Sequence, residues 1–393
     1  MNNKTIVAVS VVKNENDVIE SFCRYVTSYC DRLIIHDDNS SDNTKTIIES
    51  LIMEGLPITF LDEYETPEYH EYRIPSFEII NILAKVAFDS FHADLVIPCD
   101  ADEFIMCQDG SSPRTVLEAL DAGVENHVKW RTFICNNELM YNDQFLPDYF
   151  TSYRNPALEH FSKTMMSRRL YETYHSRFTN GYHTMSHNEH LERPQIHISP
   201  ELYIAHYPIR SGGQMITKIV NGWLSYLASP TRVSGQGFHW EEIYHTIKET
   251  QKLDKELLKD VSMKYALKDS DFTSEDLTSE HGSIKPIFLT KAIKLKYTDY
   301  SLNQEYCWSR VLENTEKMIL FLVKNQLELQ ECNHKVKQKA DALAVQKEKL
   351  CDLYSKTQNE LEMMRNSHSW KLAKPLRKVA NIFRRLRKSI FDS

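Results

Sequence analysis

The chain has 393 residues, 41% of them hydrophobic, with eight cysteines and a formal net charge of −8. That apolar content suffices for one large α/β domain with appendages, and the acidic total argues against nucleic acid as a partner. No run of about 18 apolar residues predicts a membrane-spanning helix, the N-terminal MNNKTIVAVSVVKNEND has too short an apolar run for a signal peptide, and the scattered cysteines, without a C-x-x-C pair, argue against structural zinc and suit a reducing cytoplasm.

Residues 5–12 (TIVAVSVV) make a near-continuous β-branched run, as in a strand covered on both faces. The run breaks at KNEND (13–17). Val18, Ile19, Phe22, Tyr25 and Val26 then recur at helical spacing. A second strand over 32–36 leads into DDNSSDNT (37–44), a helix reaches Leu51, and a third strand lies near 57–61. Residues 95–97 are a fourth apolar run, closed by Pro98 and Cys99, which delivers Asp100, Asp102 and Glu103 in the string DADEF. Strands alternating with helices predict right-handed β-α-β units and a mostly parallel sheet. Ligands of such sheets bind beyond the carboxyl ends of the strands, and KNEND, DDNSSDNT and DADEF all sit at those ends.

Alternate carboxylates at the end of a buried strand suit a hard cation, Mg2+ or Mn2+, with coordination sites left for substrate phosphates. A solvated turn is the plainer alternative for Asp-x-Asp taken alone. In their order, the three motifs resemble those of the family 2 glycosyltransferases with the GT-A fold. DADEF is similar to the branch of that family in which D-x-D-E-F closes the fourth strand. The resemblance covers about the first 210 residues. It implies an α/β, GT-A (Rossmann-like) sheet with helices on both faces, and a nucleotide-sugar as donor.

The resemblance also implies roles. The loops after the first and second strands would hold the base and ribose, which points to Asn14, Glu15, Asp37 and Asp38. Carboxylates there can accept from ribose hydroxyls or a uracil N–H. Alternatively Asp37, Asn39 and Ser40 cap the helix that starts near Asp42, and Asp42 and Thr44 are read as caps. Asp100 and Asp102 would match the metal motif, with Asp100 as able to meet the ribose as the ion. Glu103 is a catalytic candidate or a residue that positions a loop. His206, at the end of the apolar run 202–205, and His183 are the candidates for a third metal ligand.

Inverting transfer needs a base for the acceptor hydroxyl. Glu138, Asp143, Asp148, Glu159 and Glu189 are available, with Glu189 preferred for its place in the histidine cluster 180–190. Residues 130–169 should line the acceptor side, where Lys163 and Arg168 would contact a phosphate or acidic sugar unless they are surface charge. The Q-x-x-R-W string of processive synthases is absent, which points to one sugar per encounter.

Residues 211–309 read as a mostly helical extension that completes or covers the catalytic domain of 1–210. Residues 310–365 read as a long helix: Leu322, Leu329, Val336, Leu343 and Leu350 recur every seven positions, as in a coiled coil that would pair copies of the chain. A single amphipathic helix packed on the core is the alternative. Residues 366–393 carry eight lysines and arginines against one aspartate, a net of +7, which leaves −15 on the rest. Trp370, Leu372, Leu376, Val379, Ile382, Phe383, Leu386, Ile390 and Phe391 are interleaved, so this segment is expected to lie as a basic amphipathic helix on an anionic membrane. Its S-x-S-W-K-L-x-x-P-L-R string is similar to a tail on bacterial cell-envelope glycosyltransferases. The sequence therefore leads to a metal-dependent, inverting glycosyltransferase acting on an envelope glycan or lipid-linked oligosaccharide at the inner membrane face. The rival readings are a sugar nucleotidyltransferase, disfavoured by the lack of a Gly-rich phosphate loop, and a non-enzymatic coiled-coil scaffold.

Overall fold

The computed structural model describes residues 3–61, 76–135, 145–228, 238–250, 255–268, 273, 293–298 and 304–391. The chain separates into two units, Met1–Glu316 and Lys317–Ser393.

The first unit opens with β1 (Ile6–Val12), α1 (Ile19–Val26), β2 (Arg32–Asp37), α2 (Thr44–Met53) and β3 (Ile58–Phe60). Then come α3 (Ser76–Phe91), β4 (Leu95–Pro98), β5 (Glu103–Cys107), α4 (Pro113–Ala119) and β6 (Glu125–Thr132). After α5 (Leu146–Tyr149) follow β7 (Ser162–Ser167), α6 (Arg168–Tyr174), β8 (Arg177–Phe178), β9 (Met185–Ser186), β10 (Ile196–Ile198) and β11 (Leu202–His206). Helices α7 (Gly212–Ala228), α8 (Phe238–Thr250) and α9 (Lys255–Lys264) complete it. The main sheet runs β3-β2-β1-β4-β7-β6-β11-β5, with β10 beside β6, and β8 and β9 form a separate hairpin. Strands β3, β2, β1 and β4 are parallel; β7 is antiparallel to both β4 and β6; β11 is parallel to β6 and antiparallel to β5. The expected α/β fold with a mostly parallel sheet and a helical C-terminal extension is what the chain forms.

Strand β1 sends Ile6 and Ala8 into one core, with α1 and α2, and Val7 and Val9 into another, with α3. That is why its sequence is apolar without alternation, and it puts helices on both faces. The first core continues into the extension: Met215 and Ile219 of α7 and Leu258 and Val261 of α9 are buried in it. Residues 293–298 are tied to α1 by Glu20, whose buried carboxylate accepts from the backbone N–H groups of Lys296, Tyr297 and Thr298 and from the Thr298 hydroxyl.

Chain direction decides where function can sit. From β1 the chain steps outward through β2 to β3, then returns to β4 on the other side of β1. The β1–β4 boundary is a topological switch point, where the loops at the carboxyl ends diverge and leave a crevice. The loops after β1 and β4 flank it. Because β6 and β11 run parallel to β4, Thr132 and His206 end on the same rim, in register with each other. Because β7 runs the other way, it begins on that rim at Ser162 and Lys163.

Helix α10 (Gln304–Asn366) begins in the first unit and continues through the second, followed there by α11 (His368–Leu372) and α12 (Lys374–Phe391). Leu329, Val336, Leu343 and Leu350 are 60–72% exposed along the second unit's part of α10. The tail is two helices rather than one. Pro375 stands in the first turn of α12, where a missing N–H costs nothing. Leu376, Val379 and Ile382 are exposed on it. No described helix is long and apolar enough to cross a membrane.

Candidate functional site

The loops after β1 and β2 are built as one unit. Asn14 adopts a left-handed backbone (φ 56°) that few non-glycine residues tolerate. Its N–H donates to Ser40 Oγ (2.8 Å) and its Oδ1 accepts from the Ser41 N–H (2.8 Å). The N–H of Glu15 donates to Thr44 Oγ1 and that of Asn16 to Asp42 Oδ2. Asp37 accepts from both the backbone N–H and the hydroxyl of Ser40. Lys13 reaches across to the Asp38 carbonyl (2.8 Å) and carboxylate (3.3 Å). Of the four residues expected at the nucleotide, Asn14 uses its side chain to join the loops, and Asp37 bonds Ser40 within its own loop rather than capping α2, whose N-cap is Asn43. Glu15 and Asp38 turn to cations, Arg210 and Lys13.

At the end of β4 the two aspartates diverge. Asp100, 44% exposed at its side chain, accepts from Lys163 Nζ at 2.6 Å. Lys163 is itself buried, with Glu103 Oε1 at 3.3 Å on its other side. Burial works against the ammonium, yet Asp100 and Glu103 together hold its pKa well above the usual lysine value. Glu103 is buried, and burial pushes its carboxyl up to about 8. It accepts weakly from the Asp100 N–H (3.3 Å), and its Oε1 has no hydrogen bond.

Asp102 is buried and faces two cations and an imidazole. Lys218 of α7 donates to its Oδ2; Arg210 Nη1 lies 3.7 Å away and His206 Nε2 3.8 Å away. Burial alone would raise this carboxyl, but Lys218, His206 and Arg210 outweigh it and hold the pKa well below the usual range. Arg210 has no exposed surface. It forks onto Asp17 (2.8 and 2.9 Å) and reaches Glu15 at 2.6 Å. Burial, partly offset by Arg210, lifts the Glu15 carboxyl to about 7.

His206 stacks on Trp130 (centroids 4.2 Å apart, 29° between planes) with Tyr265 at its edge. Burial holds its pKa well below the usual histidine value, so the imidazole is neutral, and its buried Nδ1 has no hydrogen-bond partner. His183 lies on the same aromatic wall, against Trp130 and Phe161, with Nδ1 on the Ser162 carbonyl (2.7 Å).

A divalent cation fits part of this arrangement. Two ligands each roughly 2.1 Å from one ion are at most about 4.2 Å apart, and Asp102 Oδ2 and His206 Nε2 are within that span. Among the described residues no group of three acidic, histidine or cysteine side chains converges on one point. The protein therefore offers one carboxylate and one neutral imidazole, the sparse ligand set of an ion that relies on substrate phosphates and water. Asp100, held by Lys163, points to a separate task.

Several expectations need correction. Arg168 starts α6 at the far end of β7, where its N–H bonds Asp94 and its side chain bonds Glu172 and the Phe88 carbonyl. It belongs to the opposite rim, because four residues of strand separate it from Lys163. Lys163 is not an open acceptor contact either; it is locked between two carboxylates. Glu189 is exposed. The preceding His187 bonds Glu125 at the start of β6, five residues before Trp130, and among the described contacts none links Glu189 to the Asp102 cluster. Glu159 is buried in a pair with Arg154 (2.6 Å) and accepts from the Thr132 N–H, so it is no base. Asp148 is exposed on α5, and Glu138 and Asp143 lie outside the described residues. Glu103, placed among the catalytic candidates, is buried beneath Lys163 and positions the Asp100 turn. Arg210 and the pairing of Lys218 with Asp102 were missed. The one signal was a lone arginine directly after the largely apolar run 202–209 and just before the start of α7.

No protein-family model matches the chain, and no curated protein is a significant match. Among solved structures the chain is similar to the mannosyltransferase PcManGT from Pyrobaculum calidifontis, in complex with GDP-Man and Mn2+. Identity is 13% over 69% of this chain and 83% of that one, with a TM-score of 0.34. It is also similar to glucosyl-3-phosphoglycerate synthase from Mycobacterium tuberculosis in complex with Mn2+, UDP and glucosyl-3-phosphoglycerate. There the identity is 23% over 32% of this chain and 43% of that one, with a TM-score of 0.22. The chain thus spans less than half the length of the second of these.

Proposed function

We propose that this protein is a metal-dependent glycosyltransferase that moves one sugar from a nucleotide-sugar to a hydroxyl of a cell-envelope glycan or lipid-linked oligosaccharide. The observation that carries this reading is the cluster at the β1–β4 switch point: Asp100 and Asp102 at the end of β4, surrounded by Lys163, His206, Arg210 and Lys218. Carboxylates and cations gathered in a crevice suit a ligand that brings both a metal and a diphosphate.

Asp102 and His206 would hold Mn2+ or Mg2+. Such an ion would act as a Lewis acid that offsets the charge of the leaving nucleoside diphosphate. Arg210 and Lys218 supply fixed positive charge next to that position, which favours departure of the diphosphate over its ground state. Glu15 and Asp38, on the loops beside the crevice, are the carboxyl groups nearest in chain position to the nucleoside end. The reaction proposed for this site is direct attack by the acceptor hydroxyl, with inversion. At the other end of the chain, the exposed apolar residues of α12 among lysines and arginines support docking on an anionic membrane surface at the inner face of the cell membrane, where lipid-linked acceptors reside. The exposed heptad residues of α10 support self-association through a coiled coil.

The test is thermal stabilisation of the full chain by nucleoside diphosphates, with Mn2+ and with chelator. A ligand at a hundred times its Kd adds about 2.7 kcal/mol, so one nucleotide should raise Tm only when metal is present. Asp102→Asn should abolish that shift and sugar transfer while leaving the ligand-free melting transition cooperative. If no nucleotide stabilises the wild-type protein in the presence of metal and anionic vesicles, the reading fails.

A further inference from the structure

Asp102 is the residue assigned to the metal in the reading above, on which this inference rests, yet its Oδ2 is already taken. Three groups approach that oxygen, and they differ in how firmly they are held. Arg210 is fully buried and committed to Asp17 and Glu15 by three bonds of 2.6–2.9 Å. His206 is pinned between its register partners Thr132 and Glu103 and stacked on Trp130. Lys218 is different. Its side chain is 23% exposed, and among its described contacts Asp102 is the one carboxylate at ion-pair distance. Lys163 offers an internal comparison: 3% exposed at its side chain and caught between two carboxylates, it has nowhere to go. A lysine is a compact charge on a flexible four-carbon stem, and Lys218 approaches Asp102 from α7, on the open side of the cluster.

We propose that Lys218 is a positioning residue that serves as the resident counter-ion of Asp102: it occupies the metal-binding oxygen in the metal-free protein, yields it when the divalent cation arrives, and closes on the donor's diphosphate. The exchange is balanced in kind, because one cation replaces another at the carboxylate while the ammonium gains a phosphate partner for the carboxylate it leaves. Two consequences follow. Metal alone binds weakly, since it must first displace the ammonium of Lys218 from that carboxylate. Metal and nucleoside diphosphate bind cooperatively, since each supplies what the other displaces, and such coupling is reciprocal.

The experiment is a Mn2+ titration of the full chain, read by the electron paramagnetic resonance signal of free Mn2+. It is run alone and then with uridine or guanosine diphosphate, correcting for the metal–nucleotide complex in solution. Lys218→Met, which keeps the stem and removes the charge, should bind Mn2+ alone about tenfold tighter than wild type, the effect of one charge-assisted bond removed from competition. The same variant should lose about tenfold of the coupling between metal and nucleotide, whereas Lys218→Arg should retain that coupling. A lysine that merely supported α7 would leave the metal affinity unmoved. If Lys218→Met binds Mn2+ no tighter than wild type while wild type shows metal-dependent nucleotide binding, Lys218 is not a competing counter-ion and the inference is overturned. If wild type binds no nucleotide with metal at all, the glycosyltransferase reading falls and takes the inference with it.

Discussion

Arg210 joins the β1 loop to the start of α7, and its removal should be among the most damaging single changes to this fold. Its guanidinium has no exposed surface and makes four bonds: two to Asp17, one to Glu15 and one to the Tyr207 carbonyl at 3.2 Å. Asp17 is 4% exposed at its side chain, so Arg210→Met leaves a buried carboxylate with no compensating charge. Breaking a buried pair from one side costs about 3–5 kcal/mol. For a unit of this size each kcal/mol moves Tm by roughly 2–4 °C, so calorimetry should find a drop of roughly 6–20 °C. A second change, Asp17→Asn, removes the stranded charge. The double variant should therefore melt above the sum of the two single losses, with a coupling of about 0.5–3 kcal/mol. If Arg210→Met melts within about 2 °C of wild type, or if the two losses simply add, the fork is not what holds the loop to the helix.

Three further outcomes follow from single contacts. Glu20→Ala removes the acceptor for three backbone N–H groups, and amide exchange at Lys296, Tyr297 and Thr298 should accelerate while β1 stays protected. Glu54, bonded by Arg24, Lys296 and Tyr297, has its carboxyl drawn down from an ordinary 4.5 to about 2. A depressed carboxyl stabilises the fold above its unfolded pKa and loses that contribution as pH falls through the folded one. The Tm gap between wild type and Glu54→Gln should therefore be constant above about pH 5 and close as pH approaches 2. Leu329→Lys with Leu343→Lys should convert any oligomer to monomer in sedimentation without lowering the melting of the first unit, and an unchanged sedimentation coefficient would remove the coiled coil.

How much of this was legible from sequence depends on which half of the sheet is asked about. Strands β1, β2 and β4 are read directly, because strands covered on both faces must be apolar throughout. His206 was found by the same signal in β11. Strand β6 gave no such signal. Its sequence, ENHVKWRT, buries Glu125, Asn126, His127, Arg131 and Thr132. Tertiary partners make that burial tolerable: His127 and His187 share Glu125, and the Arg131 guanidinium lies 3.9 Å from the Tyr203 ring centre and 4.7 Å from that of Tyr153. Apart from the Glu125–His127 pair within the strand, those partners are distant in sequence, so no local pattern could announce the strand. Direction was equally hidden. Lys163 and Arg168 look like neighbours in the chain, but an antiparallel β7 carries them about 17 Å apart, to opposite rims. Glu103 read as part of a polar loop, whereas it opens β5 and pairs with His206, because the FIMC that follows is a buried strand.

The charges of the crevice make a final argument about binding order. Five carboxyl groups gather there, on Glu15, Asp17, Asp100, Asp102 and Glu103, against three cations, Lys163, Arg210 and Lys218. A simple count would leave the site negative, fit for metal and hostile to phosphate. Burial changes the count. It raises the carboxyls of Glu15 and Glu103, which lessens the negative charge that faces the three cations. Burial thus draws the crevice toward electroneutrality, although the chain around it is acidic. A divalent ion entering alone would upset that balance in one direction, and a diphosphate alone in the other. Together they nearly cancel, and the low-dielectric surroundings that made each separate addition costly make the paired addition favourable. On this argument the cooperativity expected of metal and donor follows from their opposite charges, and Lys218, paired with Asp102, is the movable part through which it operates.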